Sequence, residues 1–575
     1  MDVLTPYLPA VQERLNKLGL MDLYAVIGVL MATYIGSWLV KFIHVRWQVR
    51  GLPVIQSAIE IFESGARTKF PNIPFVIPVN EFTLDDPWKK YATAQSDLIA
   101  CPQLSSPYAV YITSNPSVAA SISAKPATVF GKPTGMFRYQ AINIYGLQIV
   151  STQTGPEHRR HKNVVKGCFG EAVMQNGFEK MMRAMDTMVR EERLEDGGRI
   201  DVYQPLAATL LVIGQAGFDY TIPWDIPETN GPLLPFGEAL HVVEHSMIPQ
   251  LLLPTWLMDY SPVATMRRWG KANRSLLHHI KAMVAAKRSE LSSIQSALPR
   301  GEKLKPPTDL LGALVASQMD VEAEESLVAG NVGAGLKDSE IIGNIWIFII
   351  AGHETTAHTL CFTMAYLALY PEHQEAIFKE LQQVCGGAMP EYRDVPSLHY
   401  IFATLYESLR LRDLVMTLPK LAQQDTVIPY TTWTSSGEVI QKTHPVKAGS
   451  HIIIDSPACQ RNPFHWDRPE TFDPTRFIRP DGTFSSDGAH SGVDGDGNKV
   501  VFTGFSIGTR QCIGKRFAEV EMVAFIAFMV KNYTWKPLSK FQGETRESIE
   551  KRMLDATEEL SFTPSDFGLE FARRA

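Results

Sequence analysis

The stretch FSIGTRQCIG, residues 505–514, concentrates residue types that do chemistry around Cys512. Gly508 and Gly514 permit tight backbone turns beside the cysteine. Arg510 supplies a fixed cation with a fork of donors suited to a carboxylate. A helical pattern follows, so Cys512 lies near a helix amino terminus, where the dipole and free N–H groups favour the thiolate. The thiolate is the form of cysteine that ligates a metal.

Four uses of Cys512 compete: apolar filler, half of a disulfide, nucleophile and metal ligand. The sequence has six cysteines without a CxxC pair, which favours reduced thiols in a protein that faces the cytosol. A catalytic cysteine needs a base, and no histidine lies within 20 residues of Cys512 on either side. These observations favour a metal ligand but do not name the metal.

A second stretch, AGHETT, interrupts an apolar helical pattern. Residues 345–351 are apolar nearly all round, which is typical of a deeply buried helix. Gly352, Glu354 and Thr355 follow, although glycine costs a helix interior about 1 kcal/mol and buried polar groups are costly unless they are bonded. The pattern favours a local widening where a small ligand, water and an acid–alcohol pair meet. A helix that merely bends around its neighbours is the alternative.

HETTAH also invites comparison with zinc proteases. Those enzymes place two histidines four residues apart on one helix face. His353 and His358 are five residues apart, which is about 140° around a helix. They cannot share a metal from a regular helix, so the sequence argues against a zinc hydrolase.

The elements that must position these residues are mostly helical. A helix is predicted from about Asp338 to Tyr370, and the other predicted helices cover roughly 157–190, 263–292, 372–386, 396–412 and 509–532. Short β patterns occur near 108–113 and 450–454. With 45% apolar residues and a net charge of −6, the chain can bury a large core and has no basic signature of nucleic-acid binding. The sequence therefore predicts a mainly α fold with a smaller β part.

The amino terminus has an uncharged run of 18 residues, Leu23 to Val40. That length suits a transmembrane helix. Lys41, Arg46 and Arg50 follow it, which places the carboxy-terminal side in the cytoplasm. A cleaved signal peptide is the competitor, but no basic start or small-residue cleavage site is clear. We expect a non-cytoplasmic segment over 1–22, an anchor over 23–40, a basic and proline-rich connector over 41–80, and one catalytic domain over 81–575.

Taken together, these stretches resemble the cytochrome P450 family, in its membrane-anchored microsomal form found in eukaryotes, fungi included. FSIGTRQCIG matches the haem-binding pattern Phe-x-x-Gly-x-Arg-x-Cys-x-Gly. AGHETT resembles the oxygen-activation motif, and ESLR, which contains Glu407 and Arg410, resembles the Glu-x-x-Arg motif. FDPTRF resembles the segment that supplies a further arginine, here Arg476. The motifs occur in the family's order.

The resemblance implies haem b as cofactor, with iron bound by the Cys512 thiolate. It implies that Arg510 pairs a haem propionate and that Phe505 packs near the ligand. Gly508 and Gly514 would let the loop lie close beneath the haem.

The other matched residues would act at a distance from the iron. Glu354 and Thr355 would relay protons to bound oxygen. Glu407, Arg410 and Arg476 would form a buried structural network, in which removing one partner leaves a buried charge unpaired.

The sequence departs from the family pattern opposite the haem-binding loop. Where the family often has Trp-x-x-x-Arg, the chain has HRRHK, so His158 replaces the tryptophan and Lys162 the arginine. His161 is a second candidate propionate donor, and Lys420 a candidate in another propionate-binding position. A solvated basic helix is the alternative for the three residues of HRRHK. The prolines usual after Glu-x-x-Arg are also absent.

The implied reaction is hydroxylation or epoxidation of a lipophilic substrate with one atom of O2. Apolar pocket walls suit such a substrate, and the residues expected to line the pocket are Ile142, Ile144, Val415, Met416, Thr417 and Leu418. Terpenoids, sterols, fatty acids and aromatics all remain open, as does a role in secondary metabolism or detoxification.

The chain ends soon after Cys512, so we expect electrons from a separate NADPH-dependent cytochrome P450 reductase, with cytochrome b5 as a further candidate donor. The expected location is the endoplasmic reticulum membrane, with a single pass and a cytosolic catalytic domain. Two rivals stay open: a haem-thiolate enzyme that rearranges peroxides or dehydrates without external electrons, and a haem-binding sensor or carrier.

Overall fold

The structure is a computed structural model. It describes residues 20–57, 73, 86–103, 106, 108–167, 169–194, 199–201, 203–224, 231–299, 307, 309–325, 335–486, 502–540, 543–565 and 567–574. The described chain is mainly helical with a smaller β part, as the sequence predicts.

The helices fall into two groups along the chain. The first group is α1 (Leu20–Gln48), α2 (Lys89–Ala94), α3 (Pro116–Ala124), α4 (Phe137–Ala141), α5 (Pro156–Lys166), α6 (Glu171–Glu191), α7 (Tyr203–Val212), α8 (Phe236–Glu244), α9 (Met247–Leu252), α10 (Thr255–Asp259) and α11 (Ala264–Ala297). The second group is α12 (Leu310–Glu325), α13 (Asp338–Leu369), α14 (Pro371–Cys385), α15 (His399–Leu411), α16 (Ser456–Gln460), α17 (Lys515–Asn532) and α18 (Arg546–Met553). A π-helical turn, Ile213–Gly217, continues α7.

The strands form one larger sheet and three small ones. They are β1 (Leu98–Ala100), β2 (Val110–Thr113), β3 (Phe130–Gly131), β4 (Arg199–Ile200), β5 (Thr417–Ala422), β6 (Thr426–Trp433), β7 (Val439–Val446), β8 (His451–Asp455), β9 (Tyr533–Pro537), β10 (Ala556–Glu558), β11 (Phe562–Pro564) and β12 (Leu569–Arg573). The larger sheet has the order β1-β2-β8-β5-β3, in which β2 and β8 run parallel. The small sheets are β4-β12-β9 and the hairpins β6-β7 and β10-β11.

Helix α13 is the central element of the helical layer. It contacts α7, α11, α15 and α17. Nearly all of its side chains are buried, which explains why apolar residues occur on every side of the helix. Gly343 permits a close approach to the loop that follows α4, since a Cβ on Gly343 would lie 2.7 Å from the carbonyl oxygen of Gly146. The predicted helix over 338–370 is confirmed almost to the residue.

Helix α1 is longer than the expected anchor. It continues past Val40 to Gln48, and a stretch from Tyr24 to Gln48 is long and apolar enough to cross a membrane. Its last turn belongs to the catalytic domain, because Val45 and Val49 are buried in a core cluster with β-sheet residues such as Tyr111. The helix therefore runs into the first residues of the connector expected over 41–80, where packing against the sheet extends it. Residues 1–19, most of the expected non-cytoplasmic segment, lie outside the described residues.

Candidate active site

The loop before α17 holds Cys512 at the end of a tight turn. The N–H of Cys512 donates to the carbonyl oxygen of Phe505 at 2.9 Å, and a 3-10 turn spans Gly508–Arg510. Gly508 has φ +73°, and a Cβ on it would lie 2.6 Å from the carbonyl oxygen of Ser123. Only glycine fits this position, because an L side chain would meet both backbone strain and a clash.

Gly508→Ala is expected to destabilise the fold by about 1–3 kcal/mol, since the left-handed backbone and the Ser123 carbonyl both oppose a side chain. Thermal unfolding of the purified protein measures the loss. Gly437→Ala is the matched control, because Gly437 has φ +86° but a Cβ added there would meet no atom within 4 Å. An equal loss in both variants would show that the contact with Ser123 is not tight.

Cys512 differs from the other cysteines that the structure describes. Cys101, Cys361 and Cys459 are buried and Cys385 is half-buried, whereas Cys512 is exposed. Protein atoms nevertheless surround Cys512, and this desolvation raises the pKa of its thiol. Backbone N–H groups of Gly514 and Lys515 and the Lys515 charge oppose that rise. The sulfur therefore borders an internal space rather than the outer surface.

A stripe on α13 also borders internal space. Ala351 is exposed, and Phe348, Gly352 and Thr355 are half-buried, in a helix whose other residues here are buried. These four residues have the i, i+3, i+4, i+7 spacing of one helix face. The stripe lies where AGHETT predicts a local widening, in a helix that neighbouring helices surround.

Arg510 lies among neutral acceptors. Its guanidinium donates to the Thr154 hydroxyl at 3.0 Å and to the carbonyl oxygens of Ile149 at 3.0 Å and Thr152 at 2.5 Å. Burial lowers its pKa to about 10. In the part of the chain that the structure describes, no carboxylate lies within ion-pair distance of Arg510, Lys132 or Lys420.

Lys132 brings further positive charge to this place. It donates to the carbonyl oxygen of Val150 and lies 4.4 Å from the centre of the Tyr139 ring. Burial lowers its pKa well below the usual range, and the charges of Arg510, Arg138 and Lys420 lower it further. Like charges gathered in a desolvated place destabilise one another, so the cluster is suited to a bound anion.

Two of the unexpected residues of HRRHK join this cluster. His158 is buried, and its pKa is lowered to about 3 by burial first, then by Arg510, Lys162 and Lys132. Lys420 is close as well, since burial and Arg510 lower its pKa to about 8. The structure thus brings His158 and Lys420 near Arg510, with Lys162 beside His158, and the solvated-helix alternative does not apply to His158.

His161 has a different environment. Its Nδ1 lies 2.9 Å from the Asn344 amide and its Nε2 lies 3.6 Å from the Glu340 carboxylate, both on α13. Arg160 donates to the same carboxylate at 2.8 and 2.5 Å. These contacts join α5 to α13, so His161 is occupied by a structural role rather than turned toward the cationic cluster.

Glu354 and Thr355 turn away from each other. The Thr355 hydroxyl donates back to the carbonyl oxygen of Ala351 at 2.7 Å. The Glu354 carboxylate accepts from the Ser561 hydroxyl at 2.8 Å, and burial raises the pKa of Glu354 to about 7. Thr355 therefore lies on the exposed stripe, while Glu354 belongs to a buried polar group on the other side.

The ESLR and FDPTRF motifs meet in one buried network. Arg410 donates to Glu407 at 2.7 and 2.9 Å, and Arg476 lies 3.3 Å from the same carboxylate. Arg410 and Glu407 are fully buried. The network ties α15 to the loop that carries Arg476, as the sequence predicts.

The expected pocket residues have three kinds of environment. Val415 is 42% exposed and Ile144 is half-buried, which leaves them free to contact a ligand. Ile142 is buried, and Thr417 accepts a hydrogen bond from Arg138 at 2.6 Å. Met416 packs instead with Phe362, Tyr406 and other core residues, and Leu418 packs with Ile454 and Ile507.

Comparisons with known proteins agree with this geometry. The cytochrome P450 family model matches residues 69–560. Cytochrome P450 monooxygenase 124 of Postia placenta is 30% identical over 85% of this chain and 88% of its own length. Cyclooctat-9-en-7-ol 5-monooxygenase of Streptomyces melanosporofaciens is 24% identical over 75% of this chain and 81% of its own. Human cytochrome P450 3A5 is 25% identical over 68% of this chain and 70% of its own length.

The fold is shared with a solved structure. The haem domain of cytochrome P450DA superposes with a TM-score of 0.66, at 20% identity, over 92% of this chain and 99% of that one. The fold is thus that of the cytochromes P450. The chain belongs to the cytochrome P450 family and is a monooxygenase, a class that binds haem through a thiolate and works with a redox partner on lipophilic substrates.

Proposed function

We propose that the protein holds haem b with the Cys512 thiolate as the iron ligand. The observation that carries this proposal is the exposed Cys512 in a turn that glycine shapes. Arg510, two residues before it, belongs to a cationic cluster that has no carboxylate partner among the described residues. Haem supplies both an iron that takes a thiolate and two propionates that match buried cations. Phe505, Gly508 and Gly514 shape the loop.

The propionates would be held by the cationic cluster. Arg510, His158, Lys162 and Lys420 are the donors that the sequence suggests, and Lys132 joins them from the structure. Two carboxylates would relieve the mutual repulsion that now lowers the pKa of Lys132.

Lys132→Met is expected to weaken haem retention by about tenfold, because a charge-assisted hydrogen bond to a buried carboxylate is lost. The haem-free protein should become more stable, because an unpaired buried charge is removed. Haem transfer to apomyoglobin and urea unfolding measure the two effects. Lys125→Met is the control, since Lys125 is exposed beside Phe130. Tighter haem retention in Lys132→Met would contradict this role.

The reaction is insertion of one oxygen atom of O2 into a lipophilic substrate, R–H + O2 + 2 e⁻ + 2 H⁺ giving R–OH + H2O. Bound haem would supply the activation of O2. Thr355 on the stripe would hold and pass protons at its hydroxyl, and Glu354 would supply them after its side chain leaves Ser561 and turns toward Thr355. Ile142, Ile144, Val415 and Thr417 would bound the substrate space and exclude water.

Electrons would come from an NADPH-dependent cytochrome P450 reductase, with cytochrome b5 as a further donor. Helix α1 would cross the endoplasmic reticulum membrane once, because Tyr24–Gln48 has the needed length and hydropathy. Lys41, Arg46 and Arg50 favour a cytosolic domain. The anchor would lie within 23–40, and residues 41–48 would lead from the membrane into the domain.

The substrate class would be a hydrocarbon-rich secondary metabolite. The apolar lining supports this choice, and one relative is named for its action on cyclooctat-9-en-7-ol. The test is a reduced carbon monoxide difference spectrum of the full chain in detergent, followed by spectral titration with terpenoids, sterols, fatty acids and aromatics. Reductase-dependent product formation from a compound that shifts the spectrum would establish the substrate. A spectrum without the thiolate band would overturn the haem-thiolate assignment.

A further inference from the structure

A buried polar group lies behind the Glu354 carboxylate. The Ser561 hydroxyl donates to Glu354 at 2.8 Å, and its oxygen lies 2.9 Å from Nδ1 of His358, whose own distance to Glu354 is 4.0 Å. Ser561 lies between β10 and β11, near the carboxyl end of the chain. A single hydroxyl thus links two titratable groups of α13 to a loop more than 200 residues away.

A second carboxyl, Glu244 at the end of α8, borders the same group. Its Oε1 lies 3.5 Å from Nε2 of His353, whose Nδ1 donates to the carbonyl oxygen of Ile349 at 2.8 Å. This oxygen of Glu244 is buried and has no hydrogen-bond partner among the described residues. Burial first, and Glu354 second, raise the pKa of Glu244 well above its usual range. Glu244 therefore stays neutral, and Glu354 is the carboxyl that exchanges protons.

A charged pair lies near this group at the surface. His245 and Glu559 lie 3.4 Å apart, with side chains 51% and 40% exposed. Glu559 follows β10, and its N–H donates to the carbonyl oxygen of Ser561 at 3.0 Å. His245 lowers the pKa of Glu354 and Glu559 raises it, which shows that both lie within electrostatic range. The other titratable groups on α8 are Glu238, which pairs with Arg268 at 3.0 Å, and His241, which stacks 4.3 Å from the ring of His245.

We propose that His245 and Glu559 form the solvent entrance of a proton path that reaches Glu354 through Ser561. This inference rests on the proposed monooxygenase function. Glu354 turns from Ser561 to give a proton toward Thr355 and then returns. The Ser561 hydroxyl gives its proton to Glu354 and takes one, through solvent, from the His245–Glu559 pair. One proton moves inward, no electron moves, and the network returns to its starting state.

The test uses full-chain holoenzyme in phospholipid nanodiscs with saturating reductase and no added substrate. NADPH consumption and its solvent deuterium isotope effect are measured from pH 6 to 9 for His245→Gln, Glu559→Gln and the double variant. The double variant should consume NADPH about three- to tenfold more slowly, less than the full loss of a direct general acid, because water replaces part of the path. Its solvent isotope effect should rise.

The pH profile separates a proton path from a structural role. Consumption by the wild type should fall as pH rises through about 7, where Glu354 loses its proton. Glu559 raises the pKa of Glu354, so Glu559→Gln should move this midpoint down, whereas His245 lowers that pKa, so His245→Gln should move it up. If the two substitutions only loosened the loop, the pH midpoint would move in the same direction in both variants or stay unchanged.

His278→Gln and Glu570→Gln are the matched controls, because both side chains are exposed and lie on α11 and β12. The proposed entrance would be overturned if the double variant kept the wild-type rate of NADPH consumption, isotope effect and pH midpoint. It would also be overturned if the control variants slowed as much as the double variant. If Glu559→Gln fails to fold, His245→Gln decides alone. A missing thiolate band in the wild type would instead overturn the proposed function, so the two failures are distinguishable.

Discussion

Cys512→Ala is expected to abolish the red-shifted band of the reduced carbon monoxide complex and all reductase-driven product formation. The expectation follows from the place of the sulfur, which is exposed to an internal space at the start of α17. Alanine cannot ligate iron, and without the thiolate the electron density that favours O–O cleavage is lost. The fold should survive, because no described core cluster includes Cys512.

The measurement is a difference spectrum of the reduced protein with carbon monoxide, with haem content measured on the same sample. Cys385→Ala is the control, since Cys385 is a half-buried thiol at the carboxyl end of α14 and should leave the band intact. Persistence of the full band in Cys512→Ala would show that another residue ligates the iron.

Local patterns predicted the parts of the site that depend on neighbours in sequence. The turn at Gly508, the stripe on α13 and the pairing of Glu407 with Arg410 each arise within about one or two helical turns. Spacing along a helix decides which side chains share a face, so these features were readable before any long-range contact was known.

Contacts between residues far apart in the chain could not be predicted from the sequence. Arg510 bonds to Thr154, 356 residues away, and Glu354 bonds to Ser561, 207 residues away. Lys132 belongs to no motif, and its one local signal is a lysine in an otherwise uncharged loop, VFGKPTG. Tertiary packing alone brings it to Arg510. The same reason explains why sequence reasoning did not find Glu244 and Ser561.

Helix boundaries show a similar division. The pattern over 157–190 predicted one helix, but Gly167 and Gly170 separate α5 from α6. The pattern over 263–292 ended too early, since α11 continues to Ala297. Helices α7, α8 and α12 were missed, and so were the shorter helices α2, α3, α4, α9, α10, α16 and α18. Packing in the helical layer stabilises such segments more than their intrinsic propensity does, so single-sequence patterns underestimate them.

The Glu407–Arg410 pair is expected to dominate the stability of the domain. Arg410 uses each of its N–H groups: two bond Glu407, and the others bond the carbonyl oxygens of Gln460, Pro469 and Thr471 at 2.7–3.2 Å. Arg410→Leu would leave Glu407 buried with fewer donors and three carbonyls unpaired. Breaking a buried pair costs about 3–5 kcal/mol.

A loss of that size approaches the whole stability of many domains, about 5–15 kcal/mol, so soluble and haem-loaded yield should also fall. Urea unfolding followed by tryptophan fluorescence measures the loss, and Trp466, whose ring lies 5.2 Å from the Arg410 guanidinium, reports locally. Arg393→Leu is the control: its side chain is 78% exposed, and surface changes are usually within about 0.5 kcal/mol. If the free energy of unfolding of Arg410→Leu lay within about 1 kcal/mol of the wild-type value, the effect of an exposed pair, the result would contradict a structural network. Because Arg410 joins α15 to the loop of residues 460–471, its loss would loosen α15, which packs against α17, the helix that follows Cys512.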